Sequence, residues 1–346
     1  MERCPLVERA SFRLCLLCYT RPVGKTVSSV LGAMPDVRVI KRSYEPQDEI
    51  IFAEGTPSAQ DSEVVEGKQL AAFPVPTISE SGFTHFTDGA QKSRLAFFDG
   101  QAPGYLAHLS AAVLARIDRE MLRCSRAESE LAFFAPNSAA LSELARAGFN
   151  VRPVDTSEFD GMAAMAESVK TKVSTVRDLL ESKLKEEWVR SKGDGWLLAD
   201  GGIAQAAHAA PVHLRIAGVI KSHRKQYFAK KEAAEIVLNL REGERTSVFV
   251  AKTGALGQYF AHSWYLRLRD DRCESPAFGL VRVELPFVED SIGWADRVSG
   301  WLLTERAPLS LPDMRYDRMV YPIRRVEMYL KSLQPSEDAF RAILGV

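Results

Sequence analysis

Two apolar stretches of this chain run into the same Asp-Gly pair. "FTDGAQKSRLAFFDG" carries Asp88 and Gly89, and "WLLADGGIA" ends its apolar run in Asp200 and Gly201. A carboxylate inside a buried strand is costly unless it is paired. At a strand end, before a glycine that lets the backbone turn, it emerges at the sheet edge where a cation can meet it. Asp88 and Asp200 are both expected at such ends, with Asp99 before Gly100 a rival for the first position. A third carboxylate, Glu181, follows Leu180 at the edge of an apolar stripe, with Arg177 and Lys185 each one turn away. Two Asp and one Glu make an all-oxygen set of the kind that holds magnesium or manganese rather than zinc. Two such ions can activate a water and stabilise the leaving oxygen in phosphodiester cleavage. The competing reading of each Asp-Gly pair is a plain hairpin turn, its commonest short-range use.

The elements that must position these groups follow from periodicity. Apolar residues at Met162, Met165, Val169, Val173, Val176, Leu180, Leu184 and Trp188 recur every three or four positions, which predicts a long helix packed by one face. "KGDG" from Lys192 to Gly195 turns that helix into "WLLAD". "RLAFFDG" reads as a strand turned by Gly100, and "GYLAHLSAAVLARI" as a strand or helix entered after Gly104. A strand-helix-strand unit, "ELAFFAP", "NSAALSELARAGF" and "NVRPVD", has Asn137 or Ser138 as cap and Gly148 as stop, and reads as an insertion over 130–155. "LRIAGVIKS", "RTSVFVAKT", "WYLRLRD" and "FGLVRVELPF" read as strands, and "SIGWADRVSGWLLTE" and "YPIRRVEMYLKSL" as helices. The first eighty residues read as a loop-rich elaboration with a helix around Thr26 to Met34. "VGKT" there lacks the first glycine of a phosphate-binding loop, its place being Tyr19. Mixed strands and helices in this order predict an α/β or α+β fold around one central sheet.

Composition narrows the partners. The 346 residues carry 45 Lys and Arg against 45 Asp and Glu, so net charge selects none. Local charge does better: from His213 to Lys231 the chain holds Arg215, Lys221, Arg224, Lys225, Lys230 and Lys231 with no acid, and Tyr227 and Phe228 lie among them. Such a patch can neutralise phosphates, with the aromatics offered to bases, or be a solvated face. The five cysteines form no disulfide framework, and Cys15 with Cys18 has no second half to complete a zinc site, so these thiols read as reduced and buried. "LCLLCYT" is too short for a membrane span, which predicts a cytoplasmic protein.

In this order the signals resemble the NurA family of DNA-end-processing nucleases, over roughly Phe86 to Leu333. The family's early Asp-Gly, helical Glu and later "lllDG" aspartate fall on Asp88, Glu181 and Asp200. "IAGVIKS" with Lys221, "GLVRVELP" with Arg282 and Glu284, and "YPIRRVEMYL" with Tyr321 look like its downstream motifs. The resemblance implies a ribonuclease-H-like mixed central sheet flanked by helices over 81–346, preceded by the elaboration over 1–80. It implies a manganese- or magnesium-dependent deoxyribonuclease, a homodimer working with a HerA-type hexameric ATPase in repair or antiviral defence. Asp88, Glu181 and Asp200 would be the metal ligands, with Lys221, Tyr321 and the position of Tyr329 completing the catalytic set. Arg215, Arg224, Lys225, Lys230, Lys231 and Arg282 would hold the nucleic acid.

One position departs from the family. Its closing helix usually has a histidine eight residues after the "YP" tyrosine, where this chain has Tyr329. Tyrosine, with a pKa of about 10, is a poor neutral ligand and a poor base near pH 7. Asp313 or Asp317 could substitute. The alternative is a NurA-like scaffold subunit that binds DNA and an ATPase without cutting, and a more remote one is a related enzyme acting on RNA.

Overall fold

A computed structural model describes residues 24–41, 58–59, 61–118, 120–123, 127–159, 161–191, 195–209, 214–223, 225–253, 257–269, 275–308 and 316–346. Cys15, Cys18, Arg224 and Asp313 lie outside them.

The chain opens with α1 (Val27–Leu31), β1 (Val37–Val39), β2 (Ser58–Ala59) and β3 (Ala72–Pro74). The long hairpin β4 (Phe83–Asp99) and β5 (Ala102–Ile117) follows, then β6 (Glu120–Arg123). Next come β7 (Glu128–Pro136), α2 (Ala139–Arg146), β8 (Val151–Val154) and α3 (Met162–Ser191). β9 (Trp196–Asp200), α4 (Ala204–Ala209), β10 (Ile216–Ile220), β11 (Lys225–Gln226) and α5 (Lys231–Leu238) continue the chain. β12 (Glu244–Thr246), β13 (Phe249–Thr253), β14 (Tyr259–Arg267) and β15 (Leu280–Pro286) lead to α6 (Ala295–Glu305), α7 (Tyr321–Leu333) and α8 (Glu337–Leu344).

One mixed sheet organises these elements in the order β3-β12-β14-β15-β10-β9-β4-β5-β7-β8. Its centre is parallel, β10 with β9 and β9 with β4, while β4 with β5 and β10 with β15 are antiparallel. Helices cover both faces, which is the α/β arrangement the element order predicts. On one face α6 and α7 contribute Val298, Leu302, Ile323, Val326 and Leu330 to a core with Phe86, Leu198 and Val219. On the other, α3 lays Val169, Val173 and Val176 on Tyr105 and Leu109, and Leu184 and Val189 on Leu197 and Ala199.

Local readings held unevenly. α3 follows its predicted stripe from Val169 onward, although Met162 is exposed and Val189 extends the buried side. "GYLAHLSAAVLARI" is strand, because antiparallel neighbours on both sides, β4 and β7, satisfy its ladder. "RTSVFVAKT" is two strands, β12 and β13, and a 3-10 turn over Glu289–Trp294 precedes α6. α1 is shorter than expected, ending at Leu31 before Gly32. The β7-α2-β8 unit, capped by Ser138, adds two parallel strands to the sheet's own edge beside β5.

β4 changes neighbour half-way. Its first part pairs with β9 as far as Thr87 opposite Ala199, and its last part pairs with β1 from Phe97 opposite Val39. Between these ladders β5 is its only strand partner among the described residues. Of the described parts of the first eighty residues, β1 joins the sheet against β4 and β3 against β12, while β2 pairs with β11 in a separate two-stranded sheet. Among the described residues no helix is long and apolar enough to cross a membrane.

Candidate metal centre

The first correction concerns Asp88. It does not end a strand: β4 runs on for eleven more residues, and Gly89 does not turn. What ends there is the ladder to β9, so Asp88 stands just beyond the last paired residue, Thr87. The strand-end aspartate of the hairpin is Asp99, before Gly100 at φ 58°, and its Oδ2 accepts from the Ala140 N–H at the start of α2. Asp99 is therefore committed elsewhere. Asp200 does end β9, and Gly201 at φ 85° makes the turn that follows.

Alternation along the strands assigns the faces. Phe86 and Ala90, Leu198, and Val219 all enter the core beneath α6 and α7, so Asp88, Asp200 and Lys221 belong to that face. All three stand at the carboxyl ends of the parallel ladders joining β4, β9 and β10, the place where open α/β sheets bind ligands. Lys221 donates to Asp200 Oδ2 at 2.9 Å.

Glu181 arrives from α3, on the opposite face. Gly89 faces it, and a Cβ on Gly89 would collide with Glu181 Oε1. The carboxyl group thus lies directly on the bare backbone of β4. Its Oε1 is 3.3 Å from Arg177 Nε and its Oε2 3.5 Å from Lys185 Nζ. His85 faces α3 as well, its ring 4.3 Å from that of Trp188, in keeping with its odd offset from Asp88.

Asp88 is 9% exposed and forms no ion pair among the described residues. Burial is the main cause that raises its pKa well above the usual carboxylate range, and the charges of Asp200 and Glu181 raise it further. Lys221 and the Gly89 N–H, which donates to Asp88 Oδ1 at 2.8 Å, work in the other direction. Burial also raises Glu181, against the opposing charges of Lys185 and Arg177. The three carboxylates therefore share one field. They do not form a ready ligand cluster: among the described residues no three His, Cys, Asp or Glu side chains gather as a metal group. Two of the three are turned toward cations of the chain itself.

Two buried residues that the sequence named only as neighbours hold the turn after Asp200. Lys185, 5% exposed, donates to both Glu181 and the Gly202 carbonyl at 3.3 Å, joining α3 to the turn after Asp200. Glu284 Oε2 accepts from the Ile203 N–H at 2.9 Å and pins the same turn from β15. The four-residue spacing of Arg177, Glu181 and Lys185 signalled the first; nothing local signalled that Glu284 would bond the Ile203 N–H.

The remaining predicted residues are not brought to the carboxylates as a group. Arg282 is buried, bonded to Glu284 at 2.6 Å and stacked over Tyr227 at 4.6 Å. The two form a buried ion pair, which leaves Arg282 little surface for a nucleic acid. Tyr227 and Phe228 are core residues packed on Phe249, which overturns their availability to bases. Lys230, Lys231 and Arg215 are exposed, while Lys225 donates to the Lys252 carbonyl. Tyr321 is exposed at the first position of α7, and Tyr329 packs half-buried against the core that holds Phe86 and Ala90. Asp317 is buried and accepts from the Gly279 N–H, a structural post.

Neither protein-family models nor curated proteins gave a match to the chain.

Proposed function

We propose that the chain is a divalent-metal-dependent DNA nuclease with a ribonuclease-H-like core, acting at DNA ends beside a HerA-type ATPase, as the NurA resemblance implies. The observation that carries this reading is Asp88, a buried carboxylate in the field of Asp200 and Glu181 without an ion pair of its own among the described residues. A fold keeps such a group at a cost, and a dication offsets the burial and the repulsion together. The donors are all oxygen, which fits manganese or magnesium. Asp88 and Asp200 would hold the ion from one face and Glu181 from the other, once Lys221, Lys185 and Arg177 yield their carboxylate partners. The bound ion would supply Lewis acidity and a more acidic water.

The chain's own residues do the rest. Gly89 keeps β4 bare so that Glu181 can lie against it. Lys185 and Glu284 hold the turn after Asp200. Lys221, partly exposed beside Asp200, offers a point charge to a phosphate oxygen. Lys230 and Lys231, exposed at the start of α5, would offer further charge to the backbone.

A scaffold subunit that binds DNA without cutting is the second reading. It is favoured by Tyr329 at the family's histidine position and by the cations already seated on Asp200 and Glu181. The two readings part in one assay: end-labelled single-stranded and linear duplex DNA is incubated with manganese, magnesium or EDTA and with wild type or Asp88→Ala. Manganese-dependent cutting that disappears in the variant is expected. DNA binding without cutting, even with the cognate ATPase present, would move the conclusion to the scaffold.

A further inference from the structure

Beyond the carboxylates, a cation from a different element is fixed to the backbone of Lys221. Arg318 lies in the 3-10 turn Tyr316–Arg318 that leads into α7. Its Nη1 donates to the Lys221 carbonyl at 3.1 Å, and Lys221 Nζ in turn reaches Asp200. Its Nε is 3.1 Å from Asp317 Oδ2. Asp317 is itself fixed, 4% exposed and accepting the Gly279 N–H at 2.9 Å. Gly279 sits at φ 65°, where a Cβ would collide with the Arg269 carbonyl, so the turn behind Asp317 is locked.

The guanidinium is thus oriented from behind by a buried carboxylate and from one side by a strand-end carbonyl, and its side chain remains 36% exposed. The planar fork is thus seated on the backbone of the residue whose ammonium, a point charge, reaches Asp200. The fork matches the oxygens of a phosphodiester and the ammonium a single oxygen.

We infer that Arg318 and Lys221 form a two-cation clamp for one phosphodiester of the DNA backbone at the carboxylate site, with Arg318 a substrate-binding residue that the sequence motifs do not include. This rests on the nuclease reading. The clamp contacts backbone only, so it binds without regard to base sequence.

The test measures binding of a fluorescein-labelled 30-nucleotide DNA, single-stranded and duplex, by anisotropy across a salt series. Asp88→Asn serves as the background, so that no cutting intervenes. Adding Arg318→Gln is expected to weaken binding about tenfold and to reduce the slope of log affinity against log salt by about one. Arg318→Lys is expected to restore the slope and only part of the affinity, because the charge returns without the fork. Thermal melting of each variant separates these effects from misfolding. An unchanged affinity and slope in a folded Arg318→Gln protein overturns the clamp while DNA binding stands. Absence of DNA binding by the parent protein, with or without manganese, overturns the nuclease reading instead.

Discussion

Asp88 is a residue the fold holds at its own expense. Its folded pKa is raised, so the proton it carries stabilises the fold below the unfolded value near 3.8, and that stability is lost as pH rises through the folded pKa. At neutral pH the ionised form is therefore a burden in the metal-free protein. Asp88→Asn is expected to raise the melting temperature by a few degrees in EDTA, and manganese to raise that of wild type but not of the variant. Differential scanning fluorimetry with and without the metal checks both. His108 gives the opposite dependence on pH. Burial, aided by the charge of Lys92, lowers its pKa from 6.5 to about 4, so it is neutral in the fold and charged in the unfolded chain between those values. Its contribution is complete above about pH 6.5 and lost as pH falls through about 4. The drop in melting temperature from pH 7.5 to 4.5 should be smaller in His108→Asn than in wild type.

Among the elements, β4 taught most about reading from sequence. Asp200 was legible because the apolar run before it is a complete strand and Gly201 takes a left-handed conformation. Glu181 was legible because helical spacing fixes its place beside Arg177 and Lys185. Asp88 was misplaced as a strand end. A glycine after an aspartate usually turns; here its missing side chain makes room for Glu181 instead. Packing across the sheet, which no local pattern encodes, decided between those uses. Gly89→Ala should accordingly displace Glu181, cost about 1–3 kcal/mol as an overpacked site, and weaken manganese binding measured by calorimetry at least tenfold. Tyr227 and Phe228 were misjudged for a related reason: a basic, aromatic stretch looks the same whether its rings face bases or the core.

At the scale of the whole molecule, the expected mixed sheet between helices is present, and the N-terminal strands β1 and β3 belong to it. Val27 and Leu31 of α1 sit in one cluster with Phe97, Leu144, Phe340 and Leu344, joining both termini of the described chain to the end of the β4-β5 hairpin. Leu31→Ala should cost about 2–5 kcal/mol, measured by urea unfolding, where a removable elaboration would lose almost nothing. That dependence was not readable beforehand, because a five-residue helix with no repeating stripe carries no sign of its partners.

The change of neighbours along β4 has a kinetic side. From Asp88 up to Ala96 one flank of the strand faces no other strand, and the Gln91 carbonyl on this stretch is met by the Gln334 side chain from the end of α7. Backbone protons on that flank can trade with solvent when the end of α7 lifts, with no strand pairing broken. Those of β14 and β15, bonded through a continuous seven-pair ladder, must wait for far larger openings. Deuterium uptake should therefore draw a fast stripe through the middle of a slow sheet, beginning at Asp88. A central strand would then have the clock of an edge, beside the carboxylates that the nuclease reading assigns to metal.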